Sequence, residues 1–389
     1  MLIALTASSL LLLPAAAQSS ITTSATLTLS GYIQSNPTSN FIIKAADTGL
    51  NVIKPSAASY QTNWATIIKD TLGCNTLRFM CGGEGDVWRI NMVQNPNTWA
   101  ANLESLLQAV DNAGLKCYFY TLGDVWGGEL GIIDTGSTFM DITLAKTYID
   151  KLAGNNSLNH NFITDPRIAM WSVANEAMIG TVSSSGVVTT NSNYQWIIQM
   201  CDYIGSKGGK VVVPSPRVTV NGDDWNSDFK YTEPLLRGHV DYLEAHRYGI
   251  WDLATYCSLG NQQYNWTEWK NIMQEQLQAM SDYRGDFSMQ KIILGEFGIW
   301  RGTGSDQGLT NWTFTDQNRV DYYTNMFQAI NNVGLENVCF HYSIEENAYY
   351  GSTEFCRYGM ISPVPDGIHF TGPSGQTYPG CEVIEENFG

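Results

Sequence analysis

The sequence predicts an α/β protein of the (β/α)8 TIM-barrel class, and three observations carry that expectation. Strand-like and helix-like segments take turns from about residue 40 to 345, as parallel βαβ units do. An apolar run that stops abruptly on polar residues, IAMWSVANE, ends on Asn175 and Glu176, and KIILGEFG repeats the shape and ends on Glu296. A buried parallel strand delivering polar groups at its carboxyl end looks like this. No glycine-rich phosphate loop follows any strand, which disfavours the doubly wound sheet, the main alternative.

The elements follow in order. Residues 41–45 or 52–53 supply the first strand, and a helix at 59–72 sets Trp64, Ile67, Ile68 and Leu72 on one face. A strand at 75–80 leads to a helix at 98–113 that aligns Leu103, Leu106, Leu107 and Val110 and ends at Gly114. Next come a strand at 116–120, a helix at 139–152 and the strand at 168–173. The helix at 193–204 presents Ile197, Met200, Cys201 and Ile204. The apolar stretch 211–220 is interrupted by Pro214 and Pro216, so its strand is placed at 217–220. A strand at 240–245, a helix at 266–283 with Trp269, Met273, Leu277 and Met280, and a strand at 291–295 follow. A helix at 316–333 and a strand at 337–342 complete the alternation. No composition shift divides 40–389, which is expected to be a single catalytic-size domain.

Residues 1–17 carry an apolar run, Leu10 to Leu13, closing on Pro14 and three alanines, the pattern of a secretory signal peptide. A Ser/Thr-rich extension follows over 18–39, and a secreted, extracellular protein is expected. Eight cysteines (Cys74, Cys81, Cys117, Cys201, Cys257, Cys339, Cys356 and Cys381) permit disulfides in that compartment, although several fall inside strand or helix patterns where buried thiols are as reasonable. Asn155, Asn265 and Asn311 head glycosylation sequons.

The formal charge of −16 and pI near 4.6 argue against nucleic acid or an anionic membrane as partner. No run approaches a membrane span, and a monomer acting on a neutral ligand is expected. Aromatic residues make up 12% of the chain, compatible with sugar stacking, though aromatic cores account for most of it. No CxxC motif or His pair at metal spacing is present, so neither a metal nor a cofactor is expected.

In a barrel, the polar residues at strand ends converge on one pocket. Those residues are Arg78 after the second strand, Tyr120 and the Asp124–Trp126 loop after the third, and Asn175 and Glu176 after the fourth. Asn221, Asp223, Asp224 and Trp225 follow the fifth; His246, Tyr248 and Trp251 the sixth; Glu296 and Trp300 the seventh; His341 and Tyr342 the eighth. Singly each has a dull explanation: a surface ion pair for Arg78, a core histidine, a packed Trp. Two carboxylates facing each other in an aromatic cleft are equipment for glycoside hydrolysis, one protonated for the leaving oxygen and one ionised for attack.

The ordered set Arg78, Asn175-Glu176, His246-x-Tyr248 and Glu296 in GEFG resembles clan A glycoside hydrolases, most of all family 5, over about residues 75–300. The resemblance implies Glu176 as acid/base and Glu296 as nucleophile of a retaining enzyme. Arg78 and Tyr248 would hold the nucleophile, with Asn175 and His246 lining the sugar site. Trp126, Trp300 and Tyr342 would contact sugar, Tyr342 standing where the family usually carries Trp. The implied activity is that of an endo-β-1,4-glucanase or β-mannanase on a polysaccharide. As proton donor, Glu176 is expected to have a raised pKa. The alternatives are an exo-acting β-glycosidase, a non-catalytic carbohydrate-binding barrel, and a metal-dependent hydrolase using His246, Asp223, Asp224 and Glu296.

Overall fold

The computed structural model describes residues 41–51, 58–80, 96–120, 133–134, 138–139, 141–220, 223–226, 228–250, 264–300, 302–304, 312–341, 361–365 and 370–388. The chain divides into Met1–Phe41 and Ile42–Gly389, and the second unit holds the barrel. The expected signal peptide and N-terminal extension lie outside the described residues, as do Trp126, Trp251 and Tyr342.

Eight parallel strands close into a barrel: β1 (Lys44–Asn51), β2 (Thr76–Met80), β3 (Lys116–Tyr120), β4 (Ile168–Ser172), β5 (Val211–Pro214), β6 (Tyr242–His246), β7 (Ile292–Glu296) and β8 (Asn337–Phe340). Each pairs with its sequence neighbours, and β1 closes the ring on β8 through Lys44↔Val338. The first strand spans the gap between the two candidates offered by the sequence.

Period-two alternation sorts the side chains into two environments. Phe79, Phe119 and Trp171 lie in register on β2, β3 and β4 and stack at 6.0 and 5.2 Å. They are completely buried, each contributing on the order of 2 kcal/mol from burial. Their neighbours Arg78 and Tyr118, also paired in register, are equally buried but meet the barrel's polar contents.

Most of the helices arise where the 3.6-residue pattern predicts them. Helix α1 (Ala58–Leu72) and α2 (Pro96–Asn112) follow β1 and precede β3, and α3 (Ile142–Leu152) is started by Asp141, whose carboxylate accepts from the N–H groups of Thr143 and Leu144. Helix α4 (Ser192–Ser206) buries the expected stripe Ile197, Met200, Cys201 and Ile204. Helix α5 (Phe229–Leu236) contains Pro234 and is not foreseen from periodicity. Helix α6 (Trp266–Asp282) is capped by Asn265. Helix α7 (Asp316–Val333) has a Thr315/Asn318 capping box and stops at Gly334 in the left-handed region. A final helix, α8 (Cys381–Phe388), sets Phe388 against Phe327 and Phe340, each at 5.8 Å.

The fifth strand corrects the sequence reading. Val211–Pro214 is the barrel strand, and Arg217–Val220 belongs to a separate sheet ordered Asp223–Asn226, Arg217–Val220, Met178–Val182, Val188–Thr190. Pro214 is tolerated because it ends the strand; its carbonyl still accepts the Glu176 N–H at 2.8 Å. Ser215, at φ 42°, then turns the chain out of the barrel. Asp223 and Asp224 accordingly sit on the outer sheet, not at a barrel strand end.

Among the described residues no helix is long and apolar enough to cross a membrane. Cys74, Cys117, Cys201, Cys339 and Cys381 are buried free thiols; Cys81, Cys257 and Cys356 lie outside the described residues.

Candidate active site

The carboxyl ends of β4, β6 and β7 bring Asn175, Glu176, His246, Tyr248 and Glu296 together with Arg78, which lies in the middle of β2 and not after it as expected, and reaches them with its long side chain. Glu296 is the last residue of β7, and its carboxylate is gripped on both oxygens. Arg78 Nη1 donates to Oε1 at 2.7 Å, and the Tyr248 hydroxyl donates to Oε2 at 2.5 Å. Arg78 Nη1 also donates to the Gly295 carbonyl at 3.0 Å, and Nη2 reaches Asn175 Oδ1 at 3.4 Å. Tyr248 is fixed in turn: its carbonyl accepts from the Tyr322 hydroxyl at 2.8 Å, and its ring meets His341 edge-on at 5.6 Å. His341 Nδ1 stands 3.8 Å from Glu296 Oε2.

Glu176 follows the end of β4 in a left-handed conformation, φ 51°. A non-glycine residue in that region costs about 1–2 kcal/mol, offset here by the backbone bond to Pro214. The turn aims Glu176 at Glu296: an oxygen of each, with a ring nitrogen of His246, all lie within 4.8 Å of one another. His246 Nδ1 bonds Glu176 Oε1 at 2.7 Å and stands 3.4 Å from Glu296 Oε2.

Two contributors were not singled out in the sequence. Glu244, 1% exposed, lies two residues before His246 on β6. It accepts from His246 Nε2 at 3.3 Å, stands 3.4 Å from Arg78 Nη2, and receives a short hydrogen bond from the Tyr118 hydroxyl. A β-carbon on Gly295 would fall 1.9 Å from Glu244 Oε1, so glycine is required beside this carboxylate. Arg217, from the outer sheet, contacts Glu176 Oε2 through Nη2. The spacing Glu244-x-His246 puts both on one strand face, a signal that could have flagged Glu244; nothing local flags Arg217.

Three carboxylates (Glu176, Glu244, Glu296) therefore meet three cationic groups (Arg78, Arg217, His246). Burial opposes charge on His246, but the Glu296 charge and hydrogen bonds to Glu176 and Glu244 push its pKa up to about 9. Burial also opposes ionisation of Glu176. The His246 hydrogen bond, the His246 charge and the Arg217 charge outweigh both that and the Glu296 charge, leaving its pKa lowered. The expected raised pKa is thus reversed in the free protein, because two cations hold the carboxylate. Burial and the Glu244 charge keep Tyr118 a neutral phenol, its pKa well above the usual value.

No family model and no curated protein matches the sequence. Solved structures do. The endo-β-1,4-mannanase from Thermotoga petrophila aligns with TM-score 0.59 and 17% identity over 90% of this chain and 77% of its own. A glycoside hydrolase family 5 mannosidase from Rhizomucor miehei aligns with TM-score 0.53 and 15% identity, covering 90% and 92%. The β-glucanase from Saccharophagus degradans in complex with cellotetraose gives 0.54 and 12%, covering 90% and 89%. The barrel fold is shared with these proteins.

Trp300, four residues past Glu296, is 3% exposed and packs edge-on to Phe314 at 5.0 Å. Two groupings have the spacing of cation ligands, Glu176/His246/Glu296 and Glu104/His160/Asp165. In the first, Arg78 pairs with Glu296, Arg217 with Glu176, and His246 is hydrogen bonded to Glu176. In the second, Arg167 bridges both acids, donating to Glu104 at 2.8 and 2.7 Å and to Asp165 at 2.6 Å.

Proposed function

We propose that this chain is a retaining glycoside hydrolase, with Glu296 as nucleophile and Glu176 as acid/base. The observation that carries the proposal is the pair of strand-end carboxylates facing each other within 4.8 Å. Oxygens inside that limit fit the close pairing of retaining enzymes, ~5–5.5 Å, better than the ~6.5–9.5 Å that leaves room for an inverting water. In the first step Glu296 attacks the anomeric carbon while Glu176 gives its proton to the departing oxygen. In the second, Glu176 takes a proton from water, which displaces Glu296 from the sugar. Arg78 and Tyr248 would orient Glu296 for in-line attack, and Asn175 would bond a sugar hydroxyl.

The substrate class we propose is a β-1,4-linked polysaccharide of the mannan or glucan type. The barrel's likeness to a mannanase, a mannosidase and a glucanase supports this. So does an acidic chain with no basic surface run, which suits a neutral polymer. The signal-like 1–17 segment supports action outside the cell. Soluble β-mannans and β-glucans incubated with the protein, with product sizing and NMR of the first-formed anomer, test the reading. Hydrolysis with retained β-configuration is expected, and Glu296→Gln and Glu176→Gln should each lower turnover by at least ~10³-fold. Normal turnover in both variants, or inverted product, would sink the assignment of roles.

A further inference from the structure

We infer that Arg217 is a positioning residue that biases Glu176 towards its ionised form and thereby sets the alkaline limit of the reaction's first step. The inference rests on the proposed role of Glu176 as acid/base.

Arg217 does not come from a barrel strand, and its place beside Glu176 is built by the backbone. The chain leaves β5 at Pro214, turns through Ser215 at φ 42°, and pairs with the segment that leaves Glu176. The Glu176 N–H donates to the Pro214 carbonyl and the Arg217 N–H to the Ala177 carbonyl, both at 2.8 Å. These two bonds hold Arg217 in fixed register with Glu176, and Nη2 contacts Oε2 while His246 takes Oε1. The side chains are 13% and 9% exposed, so the pair is shielded from the solvent that weakens surface ion pairs.

Among the described residues, the groups around Glu176 come from four segments. His246 approaches from β6 and Glu296 from β7; Arg217 comes from the outer sheet and Asn175 from Glu176's own segment. Behind them stand Arg78 on β2 and Glu244 on β6, and His341 lies beyond Glu296. Of the two cations that touch Glu176 among the described residues, His246 is shared with Glu244 and stands close to Glu296. Arg217 is the one directed at Glu176 from outside the barrel.

The two chemical steps make opposite demands on Glu176. The first needs the neutral acid, whose O–H proton passes to the glycosidic oxygen as the bond to the leaving sugar breaks. The second needs the carboxylate, which receives a proton from water as the water oxygen bonds the anomeric carbon. A guanidinium on Oε2 favours the second state at the expense of the first. The free enzyme should therefore lose first-step activity at a lower pH than an otherwise identical site without Arg217.

The test uses Arg217→Gln and Arg217→Lys in the full chain. Protein labelled with ¹³C at glutamate carboxyls is titrated by NMR, the Glu176 signal being assigned by its loss in Glu176→Gln. In parallel, kcat/KM is followed against pH on 4-nitrophenyl and 2,4-dinitrophenyl β-mannobioside and β-cellobioside. In Arg217→Gln the Glu176 midpoint should rise by about 1 pH unit or more. The alkaline limb for the 4-nitrophenyl substrate should move up with it, whereas the dinitrophenyl substrate, whose leaving group needs no proton, should show little change. Arg217→Lys, which keeps the charge, should stay near the wild type. An unchanged midpoint in an Arg217→Gln protein that melts like the wild type overturns the inference, as does an equal displacement in Arg217→Lys. If the wild type cleaves neither glycoside series, the proposed function fails instead, and the NMR titration still decides whether Arg217 governs Glu176.

Discussion

Titrating His246 should be visible as a loss of global stability above neutral pH. His246 is buried and bonded to Glu176 at 2.7 Å and Glu244 at 3.3 Å, and its folded pKa is pushed up to about 9 from an unperturbed 6.5. The folded value lies above the unfolded one, so the stabilisation is fully present below pH ~6.5 and is lost as pH rises through ~9. A difference of roughly 2.5 pH units corresponds to about 3 kcal/mol. Within the window the native state holds one proton more than the unfolded chain, so stability should fall by about 1.4 kcal/mol per pH unit. Unfolding entropy of about 2.1 cal/mol/K per residue gives roughly 0.7 kcal/mol/K for a unit of this length, so Tm should drop by about 4 °C across the window. Thermal unfolding followed by circular dichroism at a series of pH values, for wild type and His246→Gln, measures it. The variant starts lower, since it leaves the carboxylates less well compensated, but its slope between pH ~6.5 and ~9 should be flatter. Parallel slopes for the two proteins would refute the reasoning.

Other outcomes follow from the same contacts. Tyr248→Phe removes the hydroxyl that bonds Glu296 at 2.5 Å; kcat should fall by about 10- to 100-fold with little change in Tm, read from steady-state kinetics beside a melt. Glu244→Gln removes one of the buried carboxylates that Arg78 and His246 each contact and should cost about 3 kcal/mol in urea unfolding, near the low end for breaking a buried charge pair. Gly295→Ala forces a β-carbon to within 1.9 Å of Glu244 Oε1, so soluble yield and Tm should fall by more than for an ordinary core alanine, about 2 kcal/mol or more. Asp165→Asn loosens the Arg167 and His160 network on the barrel's flank, and should lower stability by about 1 kcal/mol while sparing kcat. Burial opposes ionisation of Asp165, yet the Arg167 bonds lower its pKa. Its contribution should therefore be present above the ordinary carboxylate range and fade as pH drops below it.

Asn175, Glu176, His246, Tyr248 and Glu296 were legible because each sits at or just past the end of an apolar run of strand length, and Arg78 because it is a charge inside one. In a parallel barrel that one-dimensional position is also a place in the pocket. The fifth strand was misplaced because a proline inside an apolar stretch reads as a break, whereas Pro214 closes a strand whose remaining bonds it does not disturb. Trp300 offered no local sign of its burial, since an aromatic residue after a strand looks the same whether it faces solvent or packs on Phe314.

Hydrophobic periodicity is a local property, and by itself it determined the alternation of strands and helices, the barrel class and the two carboxylates at strand ends. Protonation and pairing are not local. The contacts of Glu244 with Arg78 and Tyr118 join residues 166 and 126 positions apart in the chain. That of Arg217 with Glu176 depends on a turn at Ser215 that no pattern announces. Only the folded barrel decides that Glu176 lies between two cations and that His246 carries a proton at neutral pH. A pKa depends on which charges share a desolvated space, and that sharing exists only once strands far apart in sequence have closed the ring.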